Sequence, residues 1–276
     1  MARLTTFTRS GLTFDVVDEG PVDGETIVLL HGFPERASCW RRVTPLLHAQ
    51  GFRTLAPDQR GYSPGARPRG RAAYRLAELT ADVVALVDAV GGPVHLVGHD
   101  WGAAVGWSVA ARHPELVRTW TAFSVPHTAA YLRSLLGPQA LRSTYMAWFN
   151  LPALPESRPG VALLERGLRA MGWGDAEIER FRTEIVAYGA LPGGLGWYRA
   201  LPLAAREPVG RVSVPTTMVW SDGDAAVSRR GADLTPPLCT GPYEYVELAG
   251  VSHWIPTEAP EAAAEAILER VVSAPA

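Results

Sequence analysis

This sequence predicts an α/β fold in which a mostly parallel, doubly wound sheet carries a helical insertion after its sixth strand. Three observations support that expectation. Short apolar runs alternate with helix-like stretches from residue 25 to residue 125, the order that builds parallel sheets through right-handed crossovers. Some of those runs, Ile27-Val28-Leu29-Leu30 above all, are apolar without interruption, as a strand covered on both faces must be. The alternation stops at Pro126 and returns at Thr216, which leaves space for an inserted layer.

Taken in order, residues 4–18 read as two short strands joined at Ser10-Gly11, a hairpin at the sheet edge. Residues 25–30 are the first covered strand and run into His31-Gly32-Phe33-Pro34-Glu35. A helix is expected from Ser38, its N-cap, to His48, and residues 53–56 form the next strand. The turn-rich Pro57-Asp58-Gln59-Arg60-Gly61-Tyr62-Ser63-Pro64 leads to a helix over 76–89 with Leu79, Val83, Leu86, Val87 and Val90 on one face. A strand from Val94, a helix from Gly102 and a strand over 117–125 complete this half. Residues 127–206 are dense in Trp, Tyr, Leu, Pro and Gly, with helices expected at about 138–149, 160–171 and 175–188 and no strand. Strands over 216–220 and 243–248 and an alanine-rich helix over 258–271 close the chain. The expected division is a core of 1–126 and 207–276 with a helical cap of 127–206 between its parts.

The totals narrow the function. A chain of 276 residues is long enough to bury the core of one α/β domain with an insertion. With 47% apolar residues and a formal net charge of −2 it reads as soluble and globular, with no basic surface for nucleic acid. All 26 basic residues are arginine, and the absence of lysine excludes Schiff-base chemistry on a lysine amine. Cys39 and Cys239 make neither a disulfide framework nor a metal-ligand spacing, so a reducing cytoplasm is expected. Residues 1–6 lack the apolar core of a signal peptide, and no run approaches the roughly 20 apolar residues that span a bilayer.

The chemistry is concentrated in Val94-His95-Leu96-Val97-Gly98-His99-Asp100-Trp101-Gly102. An apolar strand breaks at Gly98 and resumes at once as the small-residue helix Gly102-Ala103-Ala104-Val105-Gly106. So abrupt a turn strains the residue at its apex and needs small neighbours two positions to either side. Gly98 and Gly102 meet that need. The pattern resembles the nucleophile elbow of α/β-hydrolases, with Asp100 where most members carry serine. A carboxylate there attacks an electrophilic sp³ carbon and leaves an alkyl ester on the enzyme.

Such a nucleophile needs donors for its spectator oxygen, a base to bring water to the ester, and a group to stabilise the leaving atom. The N–H of Trp101, at a helix N-terminus, and the N–H of Phe33, after His31-Gly32, are the expected oxyanion donors. The α/β-hydrolase order of nucleophile, acid and histidine places the base at His253, in the loop between the last strand and the last helix. The acid that orients it lies in Ser221-Asp222-Gly223-Asp224. Asp224 is the choice, because Asp222 stands closer to the strand end and suits bracing the turn. The other acid position of this fold, after the strand ending near Val125, holds no carboxylate. His48 and His113 at helix ends, His95 in a strand and His127 at the start of the insertion have structural readings. His31 and His99 flank the centre and are expected to bond loop backbone.

His31-Gly32-Phe33-Pro34-Glu35, Asp58-Gln59-Arg60-Gly61-Tyr62-Ser63, Gly98-His99-Asp100-Trp101-Gly102 and Ser252-His253-Trp254 together resemble the soluble epoxide hydrolases of the α/β-hydrolase superfamily. The resemblance spans nearly the whole chain. It implies two cap tyrosines that hold and protonate the epoxide oxygen, matched by Tyr145 in Tyr145-Met146-Ala147-Trp148-Phe149-Asn150-Leu151-Pro152 and Tyr198 in Gly196-Trp197-Tyr198-Arg199. Asn150 departs from the family, where glutamine is common. Phe33, Pro34, Trp101, Phe149, Trp197 and Trp254 are the expected wall of a pocket for a small apolar or aryl epoxide. No metal or organic cofactor, no nucleic acid and no membrane is expected, and a homodimer is compatible with the reading. The nearest rival is a haloalkane dehalogenase, which shares the aspartate nucleophile but needs a second N–H for the halide, from an asparagine where Phe33 stands or from a cap tryptophan such as Trp148, Trp173 or Trp197. Fluoroacetate-type dehalogenases need arginines just after the nucleophile, where Trp101 and Ala103 stand. A non-catalytic ligand-binding relative is the remaining alternative.

Overall fold

The computed structural model describes residues 2–204 and 207–273. Its strands are β1 (Thr6–Arg9), β2 (Leu12–Glu19), β3 (Thr26–Leu30), β4 (Arg53–Pro57), β5 (Val94–His99), β6 (Val117–Phe123), β7 (Thr216–Ser221) and β8 (Tyr243–Leu248). They form one eight-stranded sheet in the order β1-β2-β4-β3-β5-β6-β7-β8. The hairpin β1-β2 and the pair β2-β4 are antiparallel, and every other pair is parallel.

Successive side chains of a strand point to opposite faces, and here both faces are buried. Val28 and Leu30 join one core with Leu96, Ala122 and Met218, whereas Ile27 and Leu29 join the other with Val97, Phe123 and Val219. This double burial is why the strands read as unbroken apolar runs. The helices are α1 (Thr44–Ala49), α2 (Leu76–Val90), α3 (Trp101–Arg112), α4 (Thr128–Ser134), α5 (Gln139–Arg142), α6 (Tyr145–Phe149), α7 (Arg158–Ala170), α8 (Asp175–Arg180), α9 (Leu191–Ala204), α10 (Arg229–Asp233), α11 (Ile255–Glu258) and α12 (Pro260–Val272). Leu79, Val83 and Leu86 of α2 and Val105 and Val109 of α3 cover the first face. Leu47 of α1 and Ala263 and Ile267 of α12 cover the second. Helices α4 to α9 lie between β6 and β7 in the chain. Among the described residues no helix is long and apolar enough to cross a membrane.

Several expected helices are broken. The stretch 38–48 is a 3₁₀ turn, Ala37–Arg42, followed by α1. Pro45 in the first turn of α1 has no N–H to give to a preceding carbonyl, so the helix must restart there. Ser38 does not cap it; its hydroxyl donates to Glu184 and accepts from Arg180 Nη2 at 2.7 Å, tying the stretch before α1 to the segment after α8. The expected helix over 138–149 divides into α5 and α6, the one over 175–188 passes from α8 into a wider π-type turn over Phe181–Ala187, and the closing helix divides at Ala259, just before Pro260. The strand over 117–125 ends at Phe123, and α4 was not expected. The end of the expected cap at 205–206 and residues 274–276 of the expected core lie outside the described residues.

Helix α9 is the largest departure, because Pro192, Gly193, Gly194 and Gly196 read as breakers. The glycines are its docking face instead. A Cβ on Gly193 would stand 2.2 Å from the Gly61 carbonyl oxygen, one on Gly194 2.6 Å from Tyr62 Oη, and one on Gly196 3.0 Å from the Tyr74 ring. The close approach lets Trp197 Nε1 donate to the Arg60 carbonyl at 2.8 Å, and it fixes where the next residue, Tyr198, sits. Gly193→Ala is therefore expected to destabilise the protein by about 1–3 kcal/mol in thermal or denaturant unfolding. Gly167→Ala in α7, where an added Cβ meets nothing within 4 Å, is expected to be neutral or to stabilise by up to about 1 kcal/mol.

Candidate active site

The turn between β5 and α3 holds Asp100 at φ 53° and ψ −119°, a conformation costly for any residue with a side chain. Crowding keeps it there. A Cβ on Gly98 would lie 2.4 Å from the Gly102 oxygen, and one on Gly102 would lie 2.1 Å from the Leu30 oxygen. One on Gly32 would meet Asp100 Cβ at 2.4 Å. The small residues expected on either side of the elbow are thus demanded by contact with β3 and with the turn itself. The Asp100 carbonyl accepts from Ala103 and Ala104 N–H at 3.0 and 3.1 Å, which starts α3. The Trp101 N–H in that first turn has no acceptor within the helix.

Asp100 Oδ1 accepts the Phe33 N–H at 2.7 Å, and its Oδ2 lies 3.4 Å from His253 Nε2. On the other side of the imidazole, His253 Nδ1 is 2.7 Å from Asp224 Oδ2. Asp224 Oδ1 accepts from the Ala226 and Val227 N–H groups at 2.7 and 2.8 Å, so this carboxylate is fully bonded. Asp222 instead accepts from Gly250 N–H at 2.6 Å on the exposed side of the turn. The His253 carbonyl is held by His99 Nε2 at 2.8 Å and Ser124 Oγ at 2.9 Å. His99 Nδ1 faces Glu35 Oε2 at 3.6 Å, a contact the sequence did not suggest. His31 accepts from Gln59 N–H through Nε2 at 3.1 Å and bonds the Gly32 carbonyl through Nδ1 at 3.0 Å, bracing the loop below Phe33.

The charges follow from this geometry. Burial works against ionisation of Asp100, but its hydrogen bond to His253, the charges of His253 and His99 and the Phe33 N–H outweigh it and hold the carboxyl below its usual range. Burial likewise opposes a charged His253, yet the Asp224 charge and the bonds to Asp100 and Asp224 push it up to about 10. The site at neutral pH is an imidazolium between two carboxylates.

Tyr145 and Tyr198 stand with Asp100 in the wall of a cavity of about 660 Å³, a size suited to a small organic ligand. Their rings are 6.1 Å apart, and the Tyr198 ring meets Trp101 edge-on at 5.1 Å. Burial, the neighbouring tyrosines (Tyr131 for Tyr145, Tyr145 for Tyr198) and the charge of Asp100 raise both phenols well above 10, so both stay protonated. The rest of the wall is apolar apart from a few groups, among them Thr128, Asn150 and the Tyr131 phenol contributed by α4. Among the described residues no group of three or more His, Cys, Asp and Glu side chains is placed to hold a metal ion.

The expected wall is partly corrected. Trp101 and Trp197 line the cavity. Phe33 and Phe149 stand behind Tyr198, with ring centroids 5.2 and 4.8 Å from it, and so shape the wall from its far side. Pro34 opens on a separate crevice with Trp173 and Phe181. Trp254 turns away from the cavity because its Nε1 finds the Met171 carbonyl at 3.0 Å and its ring packs at a tilt against Trp173, with centroids 4.6 Å apart. Tyr131 went unnoticed in the sequence because nothing local sets it apart.

Removing one carboxylate tests this electrostatic arrangement. In Asp100→Asn the His253 imidazole loses a charge and a hydrogen bond, so its proton is expected to leave at least one pH unit earlier than in the parent, read by NMR titration of the ring. The effect on stability has a definite sign. The folded value near 10 exceeds the unfolded value of about 6.5, so the charged imidazole stabilises the fold fully below pH about 6.5 and that contribution fades as the pH rises to 10. The parent is expected to lose stability across that window in pH-dependent denaturant unfolding, and His253→Gln to lose less.

Residues 27–266 match the model of the Alpha/beta hydrolase family. The chain is 36% identical over 273 residues to the AB hydrolase superfamily protein YfhM of Bacillus subtilis, covering 94% of each chain. It is 31% identical over 307 residues to Epoxide hydrolase A of Mycobacterium tuberculosis, again covering 94% of each. A solved structure of an epoxide hydrolase from Bacillus megaterium, a phenylalanine-to-alanine variant with its naphthyloxy-propanediol product, aligns with a TM-score of 0.84 at 25% identity over 97% of this chain and 100% of that one. With this coverage, an Asp-bearing elbow between β5 and α3 and a histidine after β8, the chain belongs to the alpha/beta hydrolase family.

Proposed function

We propose that this chain hydrolyses an epoxide to a vicinal diol through an ester on Asp100. One observation carries the reading: a strained elbow presents a carboxylate, not a hydroxyl, to a largely apolar cavity whose wall also holds two phenols, Tyr145 and Tyr198. The names of the Mycobacterium and Bacillus megaterium relatives support it.

Asp100 attacks a ring carbon, the C–O bond breaks, and its electron pair goes to the oxygen, which takes a proton from Tyr145 or Tyr198. A phenol with its pKa raised above 10 still protonates an alkoxide, which is far more basic. The ester has no charge on Asp100, so one of the two carboxylates that held the His253 proton is gone. The imidazole then gives up that proton, the phenolate takes one up and is restored to a phenol, and the neutral ring becomes the base for water. Hydroxide adds to the ester carbonyl, the N–H groups of Phe33 and Trp101 hold the oxyanion, and collapse frees the diol. Asp224 keeps His253 in the tautomer that points Nε2 at the water. Helices α4 to α9, within residues 127–206, serve as a cap that supplies the phenols and excludes bulk solvent.

A haloalkane dehalogenase is disfavoured by the tryptophans. Trp197 Nε1 is committed to the Arg60 carbonyl, and neither Trp148 nor Trp173 is in the cavity wall. Assays of aryl and alkyl epoxides beside bromo- and chloroalkanes are expected to yield diol without halide, and Asp100→Asn to yield neither; halide release without diol would overturn the proposal. His253→Gln is expected to accumulate an adduct whose mass equals parent plus whole substrate. Tyr145→Phe or Tyr198→Phe is expected to slow ester formation by about 10²-fold in single-turnover measurements, and the double variant to form no diol.

A further inference from the structure

The geometry points to Gln139 as a positioning residue for the hydrolytic half of the reaction, acting through the Asp224 loop; this rests on the ester mechanism proposed above. Gln139 is the first residue of α5 and is fully buried. Its single amide brackets Val227 from two sides: Nε2 donates to the Ala226 carbonyl at 2.8 Å and Oε1 accepts from the Ser228 N–H at 2.7 Å. The first of these peptide groups is the one that carries the Val227 N–H donated to Asp224, and the second is the next along the chain. The Ala226 and Val227 N–H groups point at Asp224 Oδ1, so a shift of this segment moves the carboxylate that orients His253.

Helix α5 grips the same segment a second time. Arg142 donates to the carbonyls of Asp224 and, at 3.3 Å, of Val227, which also accepts from Trp220 Nε1 at 3.1 Å. Gln139 further donates to Ser143 Oγ at 3.0 Å, and that hydroxyl shares a 2.8 Å bond with Tyr131 Oη. Tyr131, Ala226 and Val227 all face the cavity. One buried amide thus ties the cavity wall on the α4 side to the loop that holds the acid. A bond network with both ends satisfied has one arrangement, and a misplacement of about 1 Å at a catalytic group costs up to about 10²-fold in rate.

Asp224 bonds His253 and not Asp100, so the effect of Gln139 is expected on the step in which His253 is the base. A purely structural role predicts the opposite, a general loss in both steps or in stability alone. The test is rapid-quench mass spectrometry with an aryl epoxide on the full chain, timing ester formation and ester decay in the parent, Gln139→Leu and Gln139→Glu. Gln139→Leu is expected to slow ester decay by roughly 10-fold to 100-fold while ester formation stays within about twofold, so that ester accumulates at steady state. Gln139→Glu keeps the acceptor for Ser228 N–H and loses the donor to Ala226, so its decay rate is expected to fall between the other two; it decides the matter if the leucine variant fails to fold. Equal slowing of both steps, or unchanged partitioning with only a lower melting temperature, overturns the inference alone. A parent that never forms an ester on Asp100 overturns the mechanism and this inference with it.

Discussion

The contact on which everything else depends is the one between the elbow and the end of β3. Asp100 is held at positive φ because Gly102 lies so close to the Leu30 carbonyl, and Gly32 to Asp100 itself, that a methyl group fits at neither. Parallel pairing of β3 with β5 sets Leu30 beside Gly98, so the close approach is a direct consequence of sheet register. The same register delivers the Phe33 N–H to Asp100 Oδ1. The Cα–Cβ bond of Asp100 and the N–H that its carboxylate accepts are thereby fixed by backbone. Such preorganisation spares the site the cost of arranging its dipoles as charge develops.

Above this backbone frame sits the charged part of the site. Two carboxylates flank a single imidazole at 2.7 and 3.4 Å, and together they overcome the penalty of burying its positive charge. The arrangement is asymmetric. Asp224 accepts from two N–H groups as well as facing the imidazole and lies outside the cavity wall, whereas Asp100 lines the cavity. In the mechanism proposed above, esterification of Asp100 removes one of those two charges and so lowers the basicity of His253. Burial acts in the opposite sense on the two phenols, which remain proton donors because the charge of Asp100 and the apolar wall disfavour their anions.

Much of this was legible in the sequence, because the elbow, the strand order and the loop positions are local or periodic signals. Gly98-x-Asp100-x-Gly102 announces its own geometry, and the loop after the last strand contains one histidine. Of the two carboxylates, Asp224 is the one that faces His253, while Asp222, nearer the strand end, bonds the Gly250 N–H across the turn. What was hidden depends on contacts between distant segments. Gly193, Gly194 and Gly196 look like helix breakers until Gly61, Tyr62 and Tyr74 are brought against them. Trp254 looks like a wall residue until the Met171 carbonyl supplies a partner for its N–H. Tyr131 and Gln139 carry no local mark at all.

The broken helices between β6 and β7 follow from the same physics. A long amphipathic helix presents one straight stripe, but the underside of this layer must meet the loop before α1, the loop after β4 and the Asp224 loop at once. Short segments with independent directions solve that problem. Helix α9 docks through glycines on the loop after β4, α5 grips the loop after β7, and Ser38 reaches Arg180 and Glu184 from the loop after β3. Each anchoring loop follows a strand at the end of the sheet where Asp100 sits, so each attachment also positions part of the cavity. A layer joined in this way is no separate lid: the bonds that seat α5 are made to the very loop that carries Asp224.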